Sequence, residues 1–101
     1  MSDKPIPNQV KVNIDLDPET ALGAYVNMAM VNHTETEITI DFIYVQPQEP
    51  KGSVRSRIIT SPKHAKRLLA ALAENIRQFE QKHGPIDAPT IAIAPGSGEM
   101  N

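Results

Sequence analysis

Residues 54–72 read Val-Arg-Ser-Arg-Ile-Ile-Thr-Ser-Pro-Lys-His-Ala-Lys-Arg-Leu-Leu-Ala-Ala-Leu, and this stretch decides the fold. Its first part alternates in the way that is typical of a strand, and its second part has the apolar spacing of an amphipathic helix. Ser61 can cap free N–H groups, and Pro62 at the first helical position loses no intrahelical hydrogen bond. The stretch therefore predicts a strand that ends at Thr60 and a helix that begins at Ser61.

The helix is expected to run to Gly84-Pro85, where a left-handed glycine is followed by a residue that cannot continue a helix. Its apolar side chains recur every three or four residues and form one face about 100° wide, which we call the apolar stripe. The stripe comprises Ala65, Leu68, Leu69, Leu72, Ile76, Phe79 and His83. A stripe of this size must be covered, so we expect it to face the sheet or a second copy of the chain.

The residues before this stretch predict three more strands with period-two alternation, at 10–16, 24–31 and 37–45, and a fourth strand covers 53–60. Because the connections are short, neighbouring strands should pair antiparallel. The predicted fold class is α+β, an antiparallel sheet of about four strands followed by one long amphipathic helix. We expect a single domain at 9–86, a flexible N-terminus at 1–8 and a disordered tail at 87–101.

Several of these segments together resemble an uncharacterised prokaryotic family, domain of unknown function 3467, across residues 10–86. They are Glu-Ile-Thr-Ile-Asp-Phe at 37–42, the strand–helix stretch at 54–68 with its Ser-Pro-x-His-Ala-Lys segment, Asn75-Ile76, Phe79-Glu80 and Gly84-Pro85-Ile86. Phe79 stands where the family pattern has tyrosine. The resemblance implies a compact strand-rich domain with one helix on its carboxyl side and brings no catalytic role. The order of four strands and a helix is also similar to SecB-type export chaperones, an analogy of fold alone.

Composition narrows the classes of function. The 101 residues contain no cysteine, which excludes disulfides and thiolate metal sites and fits a reducing compartment. The N-terminus lacks an apolar signal region, and no run approaches the ~20 apolar residues of a membrane helix. We expect a cytoplasmic protein without membrane contact and without a cofactor. His33, His64 and His83 lie on different elements without a metal-ligand spacing, so no metal site is predicted.

Charge is unevenly placed along the chain. Residues 1–50, 51–67 and 68–101 carry −6, +6 and −2, which sum to the net charge of −2. The middle part contains six basic residues and no acidic one; we call these residues the basic block, and they are Lys51, Arg55, Arg57, Lys63, Lys66 and Arg67. The block can pair with the acidic first half, with Asp41 opposite Arg57, or it can bind an anion.

For the anion alternative the candidate residues are Arg55, Arg57, Ser61, Lys63, Lys66 and Arg67. A nucleic-acid backbone is the extended form of that alternative. It is disfavoured by the sequence pI of about 5.9 and by the lack of a recognised binding motif.

The predicted sheet has apolar side chains on the face opposite its core as well. We predict that this second face is an oligomer interface, formed by Tyr25, Ala29, Val31, Ile43, Val45 and Ile59. The sequence shows no catalytic constellation. It therefore predicts a non-enzymatic, homo-oligomeric binding or adaptor module whose partner is a protein, with chaperone-like protein binding as one form, and anion or nucleic-acid-backbone binding as the alternative.

Overall fold

The computed structural model describes residues 10–89 of the chain. The elements follow in the order α1 (Pro18–Ala21), β1 (Met28–His33), β2 (Ile38–Val45), β3 (Gly52–Thr60) and α2 (Pro62–His83). The three strands form one antiparallel sheet in the order β1-β2-β3, so the α+β prediction is confirmed with three strands rather than about four. The predicted flexible N-terminus at 1–8 and residues 90–101 of the predicted tail lie outside the described residues.

The prediction of a first strand at 10–16 is wrong for this structure. Residues 10–17 have no regular structure, and among the described residues the backbone of 10–16 donates to no other strand. Period-two alternation reports only that one face is suited to burial, whereas a strand also needs a neighbour that pairs with its backbone. The alternating segment therefore has no strand partner among the described residues.

Asp17-Pro18, directly after that segment, is the start of α1. The Asp17 carboxylate accepts a hydrogen bond from the N–H of Thr20 at 3.0 Å, and Pro18 occupies the first helical position. Hydrogen bonding by the Thr20 side chain, and secondarily by the Thr20 N–H, lowers the pKa of Asp17 from its usual value. Asp-Pro here has the same chemistry as Ser-Pro at the start of α2, with a side-chain cap followed by a residue that needs no N–H partner.

The other strands form close to their predicted positions. β1 begins later than predicted because Asn27 replaces a backbone pair with its side chain. Its amide donates to the carbonyl of Val45 at 3.0 Å and accepts from the N–H of Val45 at 2.8 Å, while its own N–H donates to Ile43. The chain then turns between Thr34 and Glu37, where the Thr34 N–H donates to the Glu37 carbonyl at 2.9 Å.

The chain divides into two compact units. Within the described residues, the first unit contains 10–32 and 39–58, and thus α1 and most of the sheet. In this unit β2 is the central strand and contains the buried residues Ile40, Asp41 and Ile43. The second unit contains 33–38, with the turn between β1 and β2, and continues from residue 59 through α2.

Both ends of α2 agree with the sequence prediction. Ser61 is the N-cap, and its hydroxyl accepts a hydrogen bond from the His64 N–H at 3.2 Å. At the other end Gly84 has φ +95°, a backbone conformation that side chains with a Cβ rarely adopt, and its N–H donates to the Glu80 carbonyl at 2.9 Å. The Glu80 carboxylate also accepts from the N–H of Ile86 at 2.8 Å, which fixes the chain beyond the helix.

Candidate functional site

Asp41 and Arg57 form a two-point ion pair between β2 and β3. Arg57 donates from Nε to Oδ1 at 2.7 Å and from Nη2 to Oδ2 at 2.9 Å. Asp41 has no exposed surface, whereas the Arg57 side chain keeps 43% of its surface exposed. The parallel bonds satisfy both carboxylate oxygens, which a buried carboxylate requires. The predicted cross-strand partnership is therefore present, and its place at the centre of the sheet is that of a structural pair.

The same pair changes the acidity of both groups. The hydrogen bonds from Arg57 lower the pKa of Asp41 below its usual value of 3.8, although burial acts in the opposite direction. The bonds from Asp41 in turn raise the pKa of Arg57. Asp41 is thus held as an anion at neutral pH, with each of its oxygens accepting one hydrogen bond from Arg57.

Arg55 lies next to this pair along β3 and contacts an aromatic ring instead of a carboxylate. Its guanidinium carbon stands 5.3 Å from the centre of the Tyr44 ring, and the edge of Tyr25 meets the same Tyr44 with 6.3 Å between ring centres. A cation over a ring face is attracted by the ring electrons. Tyr44 and Arg55 also line an open hollow of about 310 Å³ beside the β2–β3 hairpin, too shallow to exclude water from a reaction.

The second group of predicted anion-site residues lies at the start of α2. The Ser61 hydroxyl is used by the cap and also lies 2.9 Å from Nδ1 of His64, so its hydrogen-bonding capacity is largely taken. Lys63, Lys66 and Arg67 are spaced by three and four residues and share one face of the helix. The first turn of α2 contains no acidic residue to balance these charges against the positive end of the helix dipole.

The expectation that the whole basic block pairs with acidic strands is met by Arg57 alone. Within residues 10–89 the ion pairs are Arg57 with Asp41 and Arg77 with Glu74, so five of the six basic residues have no carboxylate partner there. Arg55 and Arg57 belong to the first unit, and Ser61, Lys63, Lys66 and Arg67 belong to the second. The predicted anion-binding set is therefore two groups, each with its own environment.

The apolar stripe of α2 is exposed in the chain. Its large side chains Leu68, Leu69, Leu72, Ile76 and Phe79 keep between 41% and 66% of their surface accessible, and α2 has no buried residue. At the end of the stripe the rings of Phe79 and His83 lie 4.8 Å apart. The helix bounds are as predicted, and the stripe forms a largely exposed apolar face of α2.

The predicted interface residues differ in exposure. Ile43 keeps only 3% of its surface and is a core residue with almost nothing to offer a partner. Val45 is partly buried, whereas the remaining four are exposed: Tyr25, Ala29, Val31 and Ile59. The interface itself stays a prediction, now without Ile43.

Residues 10–89 contain no group of three or more His, Asp or Glu side chains placed to hold a metal ion. In the same part of the chain, no helix combines the length and the apolar character needed to cross a bilayer.

Two structural roles were not predicted from the sequence, those of Asn27 and His64. Asn27 extends the pairing of β1 with β2 through its amide, and His64 contacts the Ser61 cap through Nδ1. An asparagine just before an apolar strand is a signal for backbone mimicry, but the same residue also marks ordinary turns. The Ser-Pro-x-His segment that carried much of the family resemblance thus has a structural role at a helix start.

The family model described as "Protein of unknown function (DUF3467)" matches residues 1–88, and the chain belongs to this family. This confirms the resemblance inferred from the strand–helix stretch and its neighbours. Neither the curated proteins nor the solved structures include a significant match to the chain.

Proposed function

We propose that the protein is a non-enzymatic, homo-oligomeric module of the cytoplasm that acts by binding protein, as an adaptor. The observation that carries this proposal is the exposed apolar stripe of α2. Monomeric proteins rarely leave a continuous apolar surface of this kind in water, and such surfaces mark interaction sites. The absence of cysteine from the chain supports a reducing compartment.

The small buried core, compared with the large exposed stripe, supports self-association. The buried apolar side chains of the described residues are Ile40 and Ile43, a small core for a chain of this length. Full burial of one large apolar side chain stabilises a protein by about 1.5–3 kcal/mol, and stable domains have only about 5–15 kcal/mol in total. Covering the stripe would therefore contribute a free energy comparable to the total stability of the domain.

A second copy of α2 is the occupant that fits the stripe best. In a two-fold dimer the same surface meets itself, so an antiparallel pair of helices would lay one stripe along the other. The basic start of one α2, with Lys63 and Lys66, would then lie beside the negative end of its partner's helix dipole. This arrangement offsets the unfavourable placement of cations at the helix start.

Light scattering at micromolar concentration tests the proposal. We expect a mass of at least twice the 11.1 kDa of the chain. Leu72→Asp, which places a charge in the stripe, should reduce the mass to that of a monomer, because a buried unpaired charge is costly. Ala70→Asp places the same charge outside the stripe and should leave the oligomer intact. A monomeric wild-type protein, or two variants with equal masses, would refute the proposal.

The same measurement addresses chaperone-like binding, the more specific form of the proposal. An unfolded polypeptide that binds the stripe must compete with the second copy for it. Excess of a permanently unfolded protein, for example one reduced and carboxymethylated, should then convert the oligomer into mixed complexes. An oligomer whose mass is unchanged by this addition would remove the chaperone-like form and leave the adaptor.

Anion or nucleic-acid-backbone binding is the second candidate function. It is favoured by the three cations on one face of α2, Lys63, Lys66 and Arg67, which have no carboxylate partner within residues 10–89. A helix start with exposed cations can attract a phosphate group. The candidate ranks second because Ser61 is occupied by the cap and His64. Its test is the response of the melting temperature to phosphate at matched ionic strength.

A further inference from the structure

The segment 10–16 has a strand-like sequence, but its apolar side chains are exposed. Val10, Val12, Ile14 and Leu16 alternate with polar residues, and each keeps 67–86% of its surface exposed. β-branched residues with this alternation favour a half-buried strand. Four large apolar side chains on one side of an extended segment are an unusual feature to leave in water.

The sheet offers a matching edge. Within residues 10–89, β1 and β3 are the outer strands, and β3 is the longest strand of the sheet with nine residues, Gly52–Thr60. Every residue of β3 except Thr60 is exposed, including the apolar Val54 and Ile58 at 45% and 44%. An open edge presents unpaired N–H and C=O groups that can accept another strand. Adding one strand of seven residues would cover most of its length.

Charge distinguishes β3 from β1 as the acceptor. β3 contains Arg55 and Arg57 and follows Lys51, whereas β1, Met-Ala-Met-Val-Asn-His, has no acidic or basic residue apart from its terminal His33. The segment 10–16 contains Lys11 and Asp15, whose charges balance, and the directly following Asp17 gives residues 10–17 a net charge of −1. Cross-strand pairs of opposite charge are stabilising, and like charges are not. The same bases disfavour pairing of β3 with another β3.

We propose that segment 10–16 of one copy adds as a strand to the β3 edge of a second copy. Its apolar side chains would then continue the face formed by Val54 and Ile58, and Asp15 would lie on the side of Arg55 and Arg57. The strand addition is a second contact within the oligomer, so it rests on the proposed function. It also accounts for a strand-like sequence that finds no partner within residues 10–89.

Proline substitution tests the pairing, since proline has no N–H to donate to a strand ladder. Val12→Pro combined with Asn13→Pro removes the N–H groups on both edges of the segment, so the test does not depend on register. The control is Val12→Ala with Asn13→Ala, which keeps both N–H groups and loses as much apolar surface. In concentration-dependent light scattering, the proline variant should dissociate at a concentration at least about tenfold higher than the control.

Cross-linking between copies identifies the acceptor. The chain has no cysteine of its own, so a single cysteine can be placed at will. A tagged Val12→Cys protein is mixed with one of two untagged proteins, Ser56→Cys, which marks β3, or Ala29→Cys, which marks β1. A short bismaleimide reagent is then added. Tagged-to-untagged products should form with Ser56→Cys and exceed those with Ala29→Cys.

The outcomes separate this inference from the proposed function. A wild-type protein that stays monomeric overturns both. If the wild type is an oligomer but the proline and alanine variants dissociate at the same concentration, the strand addition is refuted. The proposed homo-oligomer is then unaffected. Preferential cross-linking to Ala29→Cys, or equal cross-linking to both sites, overturns the choice of β3. Dissociation of the proline variant together with preferential cross-linking to Ser56→Cys establishes the strand addition.

Discussion

Asp41 is the residue at which burial and charge are most closely linked. It occupies the central strand without exposed surface, and both of its oxygens are bound by Arg57. A buried pair of this kind is weak evidence for stability as a whole, but removal of one partner leaves the other uncompensated. Its function is to set which residues of β2 and β3 face each other, because a slip by one residue would place the carboxylate and the guanidinium on opposite faces.

Asp41→Asn should lower the melting temperature at neutral pH, because the amide cannot accept two charge-assisted bonds. Arg57 lowers the pKa of the folded Asp41 below 3.8, so its contribution is complete above pH 3.8 and is lost as the pH falls through the folded pKa. Thermal unfolding from pH 7 to pH 2 should therefore show a difference between variant and wild type that shrinks in acid.

Glu74→Gln is the matched control for this experiment. Hydrogen bonds from Arg77 and Gln78 also lower the pKa of Glu74, but Glu74 and Arg77 are both about half exposed. Water and salt screen such a surface pair, so its loss should change the melting temperature little at any pH. A difference for Asp41→Asn that is independent of pH would show that shape, rather than ionisation, determines the effect.

At the scale of the element, α2 was the most predictable part of the chain. Its bounds follow from local chemistry, since a hydroxyl cap, a proline and a left-handed glycine are each read from one or two residues. The stripe follows from spacing alone. What covers the stripe does not follow, because an apolar face specifies that a partner exists and not which surface supplies it.

Ser61→Ala should destabilise the protein by about 1 kcal/mol, because the His64 N–H loses its acceptor at the start of α2. Equilibrium unfolding in urea measures the change. The oligomer mass should not change, since Ser61 lies outside the stripe.

Ser61→Asp is the control for the cap. Aspartate accepts the same bond and adds a favourable charge at the helix start, so this variant should be at least as stable as the wild type. An alanine variant with the unfolding midpoint of the wild type would contradict the role of the cap.

At the scale of the whole molecule, sequence reasoning succeeded where neighbours in the chain are also neighbours in space. The β2–β3 hairpin is closed by a short connection, so counting from its loop placed Asp41 opposite Arg57. It failed for residues 10–16, where the pattern was read correctly as strand-like but no partner exists within the described chain. The candidate site was predicted less well. The basic block is divided between an ion pair at Arg57, a ring contact at Arg55 and exposed cations on α2, and this division depends on tertiary contacts.

The uneven charge along the chain supports the last prediction. Lys63 and Lys66 stand near the positive end of the α2 dipole without a carboxylate partner among the described residues, an unfavourable placement of about 0.3–1 kcal/mol per charge at low salt. Lys63→Glu with Lys66→Glu should thus keep or raise the melting temperature in chloride. Lys82→Glu, in the last turn where a cation suits the dipole, should lower it and serves as the opposite control.

The melting temperature in phosphate tests whether the exposed cations of α2 bind an anion. A ligand that binds the folded state raises the melting temperature by mass action, whereas general screening depends on ionic strength alone. We expect phosphate and chloride at matched ionic strength to act alike on the wild type, since the Ser61 hydroxyl is already engaged by His64. A rise specific to phosphate that disappears in the Lys63→Glu, Lys66→Glu variant and persists in Lys82→Glu would instead make anion binding the function of this helix start. The unbalanced charge of residues 51–67 would then be a ligand site rather than a contact between copies.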